Sequence, residues 1–564
     1  SDSVVGEGFM GKEAARGRLK PLPDLNAYRE RWVAVVRGRV VGVGAGRTQA
    51  YRAAKRARPK EEPRLFYVSP SGEPLDDPAI NLPDLTGESL LAQVVRLARA
   101  RQVGIYLVGG AVRDSLLGRT TAEALTDLDF ATPGDGLALA RAVADSLGGA
   151  FYPLDDERGT GRVVLRWPGQ PATCLDFATF RGGSLLEDLT ARDFTVNAIA
   201  LDLSADPPAL HDPLDGRADL AAKRIRVASP RAIADDPVRM LRAVRLAAAL
   251  GFAIESGTEE LIRRNCAALG RVSAERVRDE LMKSLASPRP AEAVADLHRL
   301  GLLAGVLPEV AALEGVTQSP PHHLPVFEHS LAAVRAWAAA PLELVAAVDP
   351  GLVEPVQDYL STPLGDGFSY RDLITLAVLL HDIGKPATRT ESEDGRVRFF
   401  KHDLVGGRLA KARLGRLRFS REAATWVATV VTHHMRPLLL AREKKLSRRA
   451  IYRYFRATDR AGVAVALLAL ADHQATRGRE ADLALAPVVK RLCQTYFEEP
   501  GLVRPKPLLT GQDLITGLGL AEGPLIGQLL AQLLEAQATG EVQTRDQALA
   551  FLSRLASEPD FAKT

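Results

Sequence analysis

The sequence contains few cysteines and aromatic residues, and it lacks long hydrophobic runs. Its 564 residues include three cysteines, Cys174, Cys266 and Cys493, and aromatic residues make up 5% of the chain. Cysteines this sparse and widely spaced exclude a disulfide framework and a zinc knuckle, and they are typical of a reducing cytoplasm. No apolar run reaches the roughly 18 residues of a membrane span, and residues 1–18 do not have the order of a signal peptide. We therefore expect a cytoplasmic protein with no membrane span.

Positive charge is concentrated near the start of the chain. Residues 1–65 contain 15 Lys or Arg and 7 Asp or Glu, whereas the whole chain has a net charge of +4. A basic appendage on a slightly acidic body is compatible with a polyanionic partner such as nucleic acid. Charge alone is more simply explained by a solvated surface.

The pattern of residue types changes twice along the chain. Residues 31–36 and 39–43 are β-rich around Gly38 and predict a hairpin, which a basic helix over 48–58 follows. Residues 69–83 are rich in Pro, Ser, Gly and Asp and predict a linker. Strands and helices alternate over residues 85–203, and from about residue 235 nearly everything has helical periodicity.

A glycine-rich turn stands at the start of the alternating region. Residues 104–118 predict a strand, a tight turn at Gly109 and Gly110, and a helix. Glycines allow the backbone to approach a ligand closely, and the free N–H groups of a helix start attract phosphate. The turn could therefore hold a triphosphate, although a Gly-Gly turn alone is usually only a turn.

Two carboxylates follow this turn in a strand-like segment. Asp127 and Asp129 are two residues apart, so on a strand they face the same side. Adjacent carboxylates repel each other unless a cation lies between them, and Mg²⁺ binds carboxylates together with substrate phosphates. The pair is therefore a candidate catalytic magnesium site. Asp176, in a later strand-like segment, is either a third catalytic carboxylate or a salt-bridge partner, for example of Arg181.

Four motifs in order make the sequence recognisable. They are Leu107–Asp114, Asp127–Asp129, Arg192–Ala198 and Asp235–Arg245. In order and spacing they closely resemble the class II tRNA nucleotidyltransferases and bacterial poly(A) polymerases. The resemblance implies nucleotide binding by Gly109, Gly110, Arg113, Asp114, Arg192, Asp193 and Asn197.

The resemblance also implies that protein side chains select the incoming base. Asp236 and Arg239 correspond to the base-reading pair, and three residues apart on a predicted helix they share a face. An Asp accepts hydrogen bonds from an amino group and an Arg donates to ring nitrogens or carbonyls, so the two can imitate a Watson–Crick edge. Arg242 and Arg245 continue the stripe towards phosphate or primer.

Two positions depart from the family pattern. Ala191 stands where the family often has Arg, and Asp235 where it often has Glu. Both adjoin key residues, so the activity is retained in this interpretation while the choice between C and A stays open. Residues 275–281 resemble the neck motif, with the expected role of holding the base-reading helix.

A second constellation is rich in histidine. Eight of the ten histidines lie between His322 and His473. An adjacent His-Asp pair can bind a divalent metal, and the ligand order resembles that of HD phosphohydrolases. The candidate ligands are His329, His381, Asp382, His402, His433 (or His434) and Asp472. Lys385 is a candidate phosphate ligand. Imidazole-rich sites favour Mn, Ni, Co, Fe or Zn over Mg²⁺.

Together these patterns predict an α+β protein of five parts. A polymerase β-like nucleotidyltransferase head precedes an all-α neck and body and an all-α HD domain. The expected parts are a basic module with linker (1–83), the head (84–230), the neck (231–300), the HD domain (301–480) and a helical tail (481–564). The expected activity is addition of CMP and AMP to tRNA 3′ ends from CTP and ATP. The alternatives are an enzyme adding only A, a poly(A) polymerase, and an HD phosphohydrolase with a degenerate polymerase half.

Overall fold

The computed structural model describes residues 22–29, 31–44, 47–61, 63–68, 74–76, 89–119, 126–169, 171–206, 208–477 and 485–556. The chain divides into two compact units, residues 1–232 and 233–564. The first contains two multi-stranded sheets and the second is mainly helical, so the predicted α+β class is confirmed. The three cysteines are free.

The first sheet forms a small N-terminal module. Its elements are β1 (Arg31–Val36), β2 (Arg39–Gly44), α1 (Arg47–Ala57), β3 (Arg64–Val68) and β4 (Pro74–Asp76), with strand order β2-β1-β3-β4. The hairpin and the basic helix are thus where the sequence predicts them. The linker prediction is wrong for residues 74–76, because they pair with β3 as an edge strand. Residues 69–73 and 77–83 lie outside the described residues.

The head is built around a seven-stranded mixed sheet. Its order is β11-β10-β5-β6-β9-β8-β7. The strands are β5 (Tyr106–Val108), β6 (Asp127–Thr132), β7 (Ala150–Asp155), β8 (Thr160–Leu165), β9 (Thr173–Thr179), β10 (Ala200–Asp202) and β11 (Ala209–His211). The helices are α2 (Leu90–Ala100), α3 (Gly110–Leu116), α4 (Gly136–Leu147), α5 (Leu185–Thr190) and α6 (Gly216–Ala221), and the short strand β12 spans Arg224–Ile225.

The central strands β6 and β9 run parallel and carry the core of the head. Phe130 and Phe177 are fully buried partners in this register, and their rings stack with centroids 4.9 Å apart. Because side chains alternate along a strand, burying Leu128 and Phe130 turns Asp127 and Asp129 outward.

The second unit is a helical body. After α7 (Ala232–Asp235), its first helices are α8 (Arg239–Leu250), α9 (Ser256–Asn265), α10 (Ala274–Leu285), α11 (Pro290–Arg299), α12 (Leu303–Val306) and α13 (Pro308–Ala311). The HD region contains α14 (Val326–Ala339), α15 (Pro341–Val348), α16 (Val353–Ser361), α17 (Tyr370–Leu380), α18 (Lys385–Thr388), α19 (His402–Arg416), α20 (Arg421–His433), α21 (Arg436–Leu440), α22 (Arg448–Thr458) and α23 (Gly462–Arg477). The tail contains α24 (Ala486–Glu498), α25 (Pro500–Val503), α26 (Gly511–Leu518), α27 (Pro524–Thr539) and α28 (Arg545–Ala556).

The body is not entirely helical. It includes the two-residue strand β13 (Ala253–Ile254) and an antiparallel hairpin of β14 (Arg389–Glu391) and β15 (Val397–Phe399). Among the described residues no single helix is long and apolar enough to cross a membrane. Helices α14 and α15 meet that length and composition only as a pair, which bends by 80°.

Candidate functional site

The two aspartates of β6 lie beside the glycine turn. Val108 at the end of β5 pairs with Asp129, which brings the turn after β5 next to the Asp129 carboxylate. Gly109 has φ +76°, and a β-carbon there would lie 2.9 Å from Asp129 Oδ2. Only glycine therefore lets this backbone approach the carboxylate so closely. The turn that is predicted to bind phosphate therefore lies beside the carboxylate pair that is predicted to bind metal.

Asp176 lies on the strand next to this pair. In the parallel register of β6 and β9 it is the direct partner of Asp129, so the two side chains share a face. However, Arg162 donates to both Asp176 oxygens, Nε to Oδ1 and Nη2 to Oδ2, each at 2.7 Å. The hydrogen bonds to Asp176 raise the pKa of Arg162 despite partial burial. Asp176 is therefore a neighbour of the proposed catalytic pair and also a salt-bridge partner, and it pairs with Arg162 instead of the expected Arg181.

Hydrogen bonds join the first and third motifs. Arg113 donates to both carboxylate oxygens of Asp114 at 2.8 Å and, through Nη1, to Asn197 Oδ1 at 2.7 Å. Asn197 in turn donates through Nδ2 to Asp193 Oδ1 at 3.2 Å. Four residues predicted to bind nucleotide therefore form one continuous network, although up to 84 positions separate them.

Arg192 is oriented by a buried carboxylate. Its guanidinium donates to Asp188 Oδ2 through Nε at 3.1 Å and through Nη2 at 2.9 Å, and Asp188 is 1% exposed. A cation held by a buried acid loses little conformational entropy when it meets a ligand. Asp188 was not among the predicted residues, although its position four before Arg192 on a short helix is a signal for such a pair.

The base-reading pair differs from the prediction in its secondary structure. Asp236 lies in the break between α7 and α8, and Arg239 begins α8. Pro237 explains the break, because a proline disfavours helical geometry in the residue before it. The backbone N–H of Arg239 still donates to the Asp236 carbonyl at 3.1 Å, so the two residues share one turn.

The neck helix α10 contacts both ends of this region. Arg276 donates to Asp236 Oδ2 at 2.7 Å, and Glu280 pairs with Arg245 at 2.8 Å. These contacts fit the holding role expected for residues 275–281. Arg245 thus forms an ion pair within the protein, whereas the sequence predicts that it faces phosphate or primer.

Replacing Glu280 with alanine is expected to destabilise the protein by about 1–3 kcal/mol, because it removes an ion pair from Arg245, whose side chain is 21% exposed. Denaturant unfolding measures this. Glu260→Ala is the matched control, since its pair with Arg264 is exposed and surface pairs contribute only about 0–1 kcal/mol. Equal effects of the two substitutions would contradict the assigned role of Glu280.

The predicted HD residues converge from five places in the body. His329 Nε2 lies 2.9 Å from Asp472 Oδ1, and His381 Nε2 lies 3.1 Å from Asp382 Oδ2. All four residues are almost completely buried. His329, His381 and Asp382 place one ligand atom each within 4.8 Å of one another, close enough to surround a single ion.

A second group shares Asp382 with the first. His402 Nε2 lies 3.5 Å from Asp382 Oδ1 and 3.3 Å from His434 Nε2. These three residues also meet the 4.8 Å limit. Asp382 is thus common to both sets of candidate ligands.

The imidazoles are oriented for metal binding. In His381, His402 and His434 the Nδ1 atom lies 2.7–2.9 Å from a backbone carbonyl. A carbonyl only accepts, so Nδ1 carries a proton and Nε2 is the ring nitrogen that faces the cluster. Burial alone would lower the pKa of His381, but the Asp382 carboxylate outweighs it and raises that pKa to about 9. A divalent cation here would replace that proton.

Of the two adjacent histidines, His434 is the one that joins a group of candidate ligands. Burial lowers the pKa of His434 to about 4 and favours the neutral ligand form, whereas His433 is in neither group of candidate ligands among the described residues. In the ligand set predicted from the sequence His433 stands first, with His434 as the alternative. Adjacent residues on a helix point about 100° apart, and it is His434 whose ring approaches His402. The close packing of residue 384 against α19 requires glycine, because a β-carbon at that position would collide with the backbone of His402 and Gly406.

Three further residues lie beside this cluster. Lys385, predicted as a phosphate ligand, is 4% exposed; its ammonium pairs with Asp382 Oδ2 at 2.7 Å and donates to Gln318 Oε1 at 2.7 Å. The ring of His322 lies 5.0 Å from that of His329. Gln318 and His322 were missed as site residues, and the only signal for His322 was its place in the histidine-rich stretch.

Known proteins match the chain over most of its length. The poly(A) polymerase head domain matches residues 105–226, a probable RNA- and SrmB-binding site of polymerase A matches 251–313, and the HD domain matches 359–473. The A-adding tRNA nucleotidyltransferase of Deinococcus radiodurans is 38% identical over 467 residues, covering 81% of this chain and 96% of the relative. The chain belongs to the tRNA nucleotidyltransferase and poly(A) polymerase family. A CC-adding tRNA nucleotidyltransferase of Thermus thermophilus is also 38% identical, covering 79% of this nucleotidyltransferase and 92% of the relative.

Solved structures agree with the fold of this nucleotidyltransferase. A CCA-adding enzyme in apo form has a TM-score of 0.55 at 20% identity, covering 84% of this chain and 96% of that one. The head and the HD domain of the family both imply dependence on divalent metal ions. The N-terminal module, residues 31–76, lies outside all three matched domains.

Proposed function

We propose that this nucleotidyltransferase adds CMP and AMP to the 3′ end of tRNA without a nucleic-acid template. The observation that carries the proposal is the placement of Asp127 and Asp129 on one face of β6, with the Gly109 turn against the Asp129 carboxylate. This arrangement offers a triphosphate both a close backbone and a pair of metal-binding acids.

In the proposed reaction the tRNA 3′-hydroxyl oxygen bonds to the α-phosphorus of CTP or ATP. The bond from that phosphorus to the oxygen bridging the α- and β-phosphates breaks, pyrophosphate leaves, and the hydroxyl proton passes to solvent water. Asp127 and Asp129 would hold Mg²⁺, which activates the hydroxyl and neutralises the departing pyrophosphate. The network of Arg113, Asn197 and Asp193 would orient the nucleotide beside them.

Product lengths test the proposal. Transcripts of tRNA ending before, within and after the CC positions are incubated with CTP, ATP or both, and the products are separated on a gel. Completion of CCA on all three ends supports the proposal. The relatives at 38% identity include an A-adding and a CC-adding enzyme, so addition of A alone or of CC alone would overturn the two-nucleotide form. No addition by any combination would overturn the activity.

Base selection is expected to depend on Arg239. Its replacement by alanine removes the donor of the proposed base-reading pair and should cost about 1–3 kcal/mol of discrimination, as one bidentate base contact does elsewhere. Competition of CTP or ATP against UTP and GTP measures the loss. Arg263→Ala, which removes an exposed arginine paired with Glu259, is the control. Unchanged discrimination in the Arg239 variant would rule out a protein template at this position.

We further propose that the HD cluster holds divalent transition metal and hydrolyses phosphate esters at RNA ends. The specific observation is the buried set of imidazole Nε2 atoms and carboxylates around Asp382. Such ligands suit Mn, Ni, Co, Fe or Zn, and metal-bound water is a nucleophile near neutral pH. The proposed substrates are 2′,3′-cyclic and 3′-phosphate ends, because they block an enzyme that needs a free 3′ hydroxyl.

A further inference from the structure

The helix α1 of the N-terminal module has one buried face and one cationic face. Ala50 and Ala54 are buried, and they pack in a cluster with Trp32 and Leu65 of the sheet. The opposite face carries exposed Arg52 and Arg56, four residues apart and therefore on one side of the helix. Because the alanine face packs against the sheet, Arg52 and Arg56 point away from it.

The positive charge continues past the end of the helix. Residues 47–60 contain six Lys or Arg and no Asp or Glu. Four of these residues, Arg52, Arg56, Arg58 and Lys60, are exposed, and we call them the α1 patch. No ion pair or side-chain hydrogen bond is seen for any of the four within the described part of the chain.

Several other surface arginines of the chain pair with acids. Arg158 lies 3.5 Å from Asp155. Next to the patch, the carboxylate of Glu61 is taken by Arg37 at 2.8 Å. Cations that are clustered and unpaired repel one another, and an external polyanion removes that repulsion. The α1 patch is therefore arranged for a partner with repeated negative charge.

The module is attached to the catalytic head. The guanidinium of Arg217, on head helix α6, lies 5.8 Å from the ring centroid of Trp32. A cavity of about 320 Å³ at this junction is lined by Trp32 and Tyr67 of the module and by Leu185, Leu186 and Arg217 of the head. The α1 patch is consequently carried by the same unit that carries Asp127 and Asp129.

We propose that the α1 patch binds the phosphate backbone of the tRNA substrate, as a second RNA contact outside the matched family domains. This inference rests on the proposed function for the identity of the RNA. The contacts go to phosphates, so they contribute affinity and not sequence preference. Each engaged side chain releases counterions, which makes the contribution dependent on salt.

The test compares the full-length wild type with Arg52→Glu/Arg56→Glu and with Arg52→Ala/Arg56→Ala. Binding of labelled tRNA is measured without nucleotides over a range of salt concentrations, alongside KM and kcat for addition. Arg101→Ala/Arg158→Ala is the matched control, because it removes two exposed charges from the same unit. Circular dichroism and thermal unfolding confirm that the variants fold.

The alanine variant should bind tRNA severalfold more weakly, and the slope of log K against log salt should fall in magnitude by about 1.4 to 1.8, for two phosphate contacts. The glutamate variant should bind about tenfold or more weakly. KM for tRNA should rise while kcat is retained, and the control should match wild type. Affinity and slope equal to wild type in both patch variants would overturn the inference. Patch-dependent tRNA binding by a wild type that adds no nucleotide would overturn the proposed function and leave RNA binding by the patch in place.

Discussion

Replacing Asp127 with alanine should reduce nucleotide addition by about three orders of magnitude or more while leaving the fold unchanged. The carboxylate is exposed on β6 beside Asp129, and the buried residues between and after the pair are untouched. Removing a ligand of ions that activate the hydroxyl and stabilise pyrophosphate takes several kcal/mol from the transition state, and each 1.36 kcal/mol is tenfold in rate.

Single-turnover addition to a tRNA transcript measures this effect, with tRNA binding measured in parallel. Asp155→Ala is the control, because it removes an aspartate from edge strand β7 of the same sheet. The control should retain activity within about twofold, and both variants should bind tRNA like wild type. Incorporation at the normal rate by Asp127→Ala would remove Asp127 from the catalytic site.

The sequence predicts the parts of the head that depend on local pattern. Alternation places Asp127 and Asp129 on one face of a strand, and a glycine pair after a strand predicts a close-approach turn. Both features are present, because each is set by residues near one another in the chain. The approach of Gly109 to Asp129 was not predictable from spacing, since it depends on the pairing of β5 with β6.

Long-range pairing decides the features that sequence reasoning missed. Arg162 meets Asp176 only because β8 and β9 are antiparallel neighbours in that register. Two aspartates in similar strand-like segments, Asp129 and Asp176, therefore have different surroundings. Asp129 lies against the Gly109 turn, whereas its strand partner Asp176 is held by a guanidinium.

In the body, periodicity predicts helices but not their breaks. The stripe from Asp236 to Arg245 was predicted on one helix, yet Pro237 separates Asp236 from α8. Helical spacing likewise could not choose between His433 and His434. The choice depends on how the end of α20 meets His402 across 32 residues of sequence.

Changing His381 and Asp382 together to alanine should remove the bound transition metal and abolish the proposed phosphohydrolase activity. Asp382 belongs to both groups of candidate ligands, so its loss removes a carboxylate from each group. Nucleotide addition should persist, because the proposed catalytic acids lie on the head and respond to Mg²⁺. Metal analysis of purified protein and separate assays of hydrolysis and addition measure these outcomes.

His434→Ala and His433→Ala form a sharper pair, because the two histidines are adjacent and only His434 approaches His402. The first substitution should lower metal content and hydrolysis while retaining the fold, and the second should change neither. Loss of metal in the His433 variant with normal content in the His434 variant would reverse the ligand assignment. Unchanged metal in the His381/Asp382 variant would remove the cluster as the binding site. No hydrolysis by wild type with any of the five metals would leave the HD domain without the proposed activity.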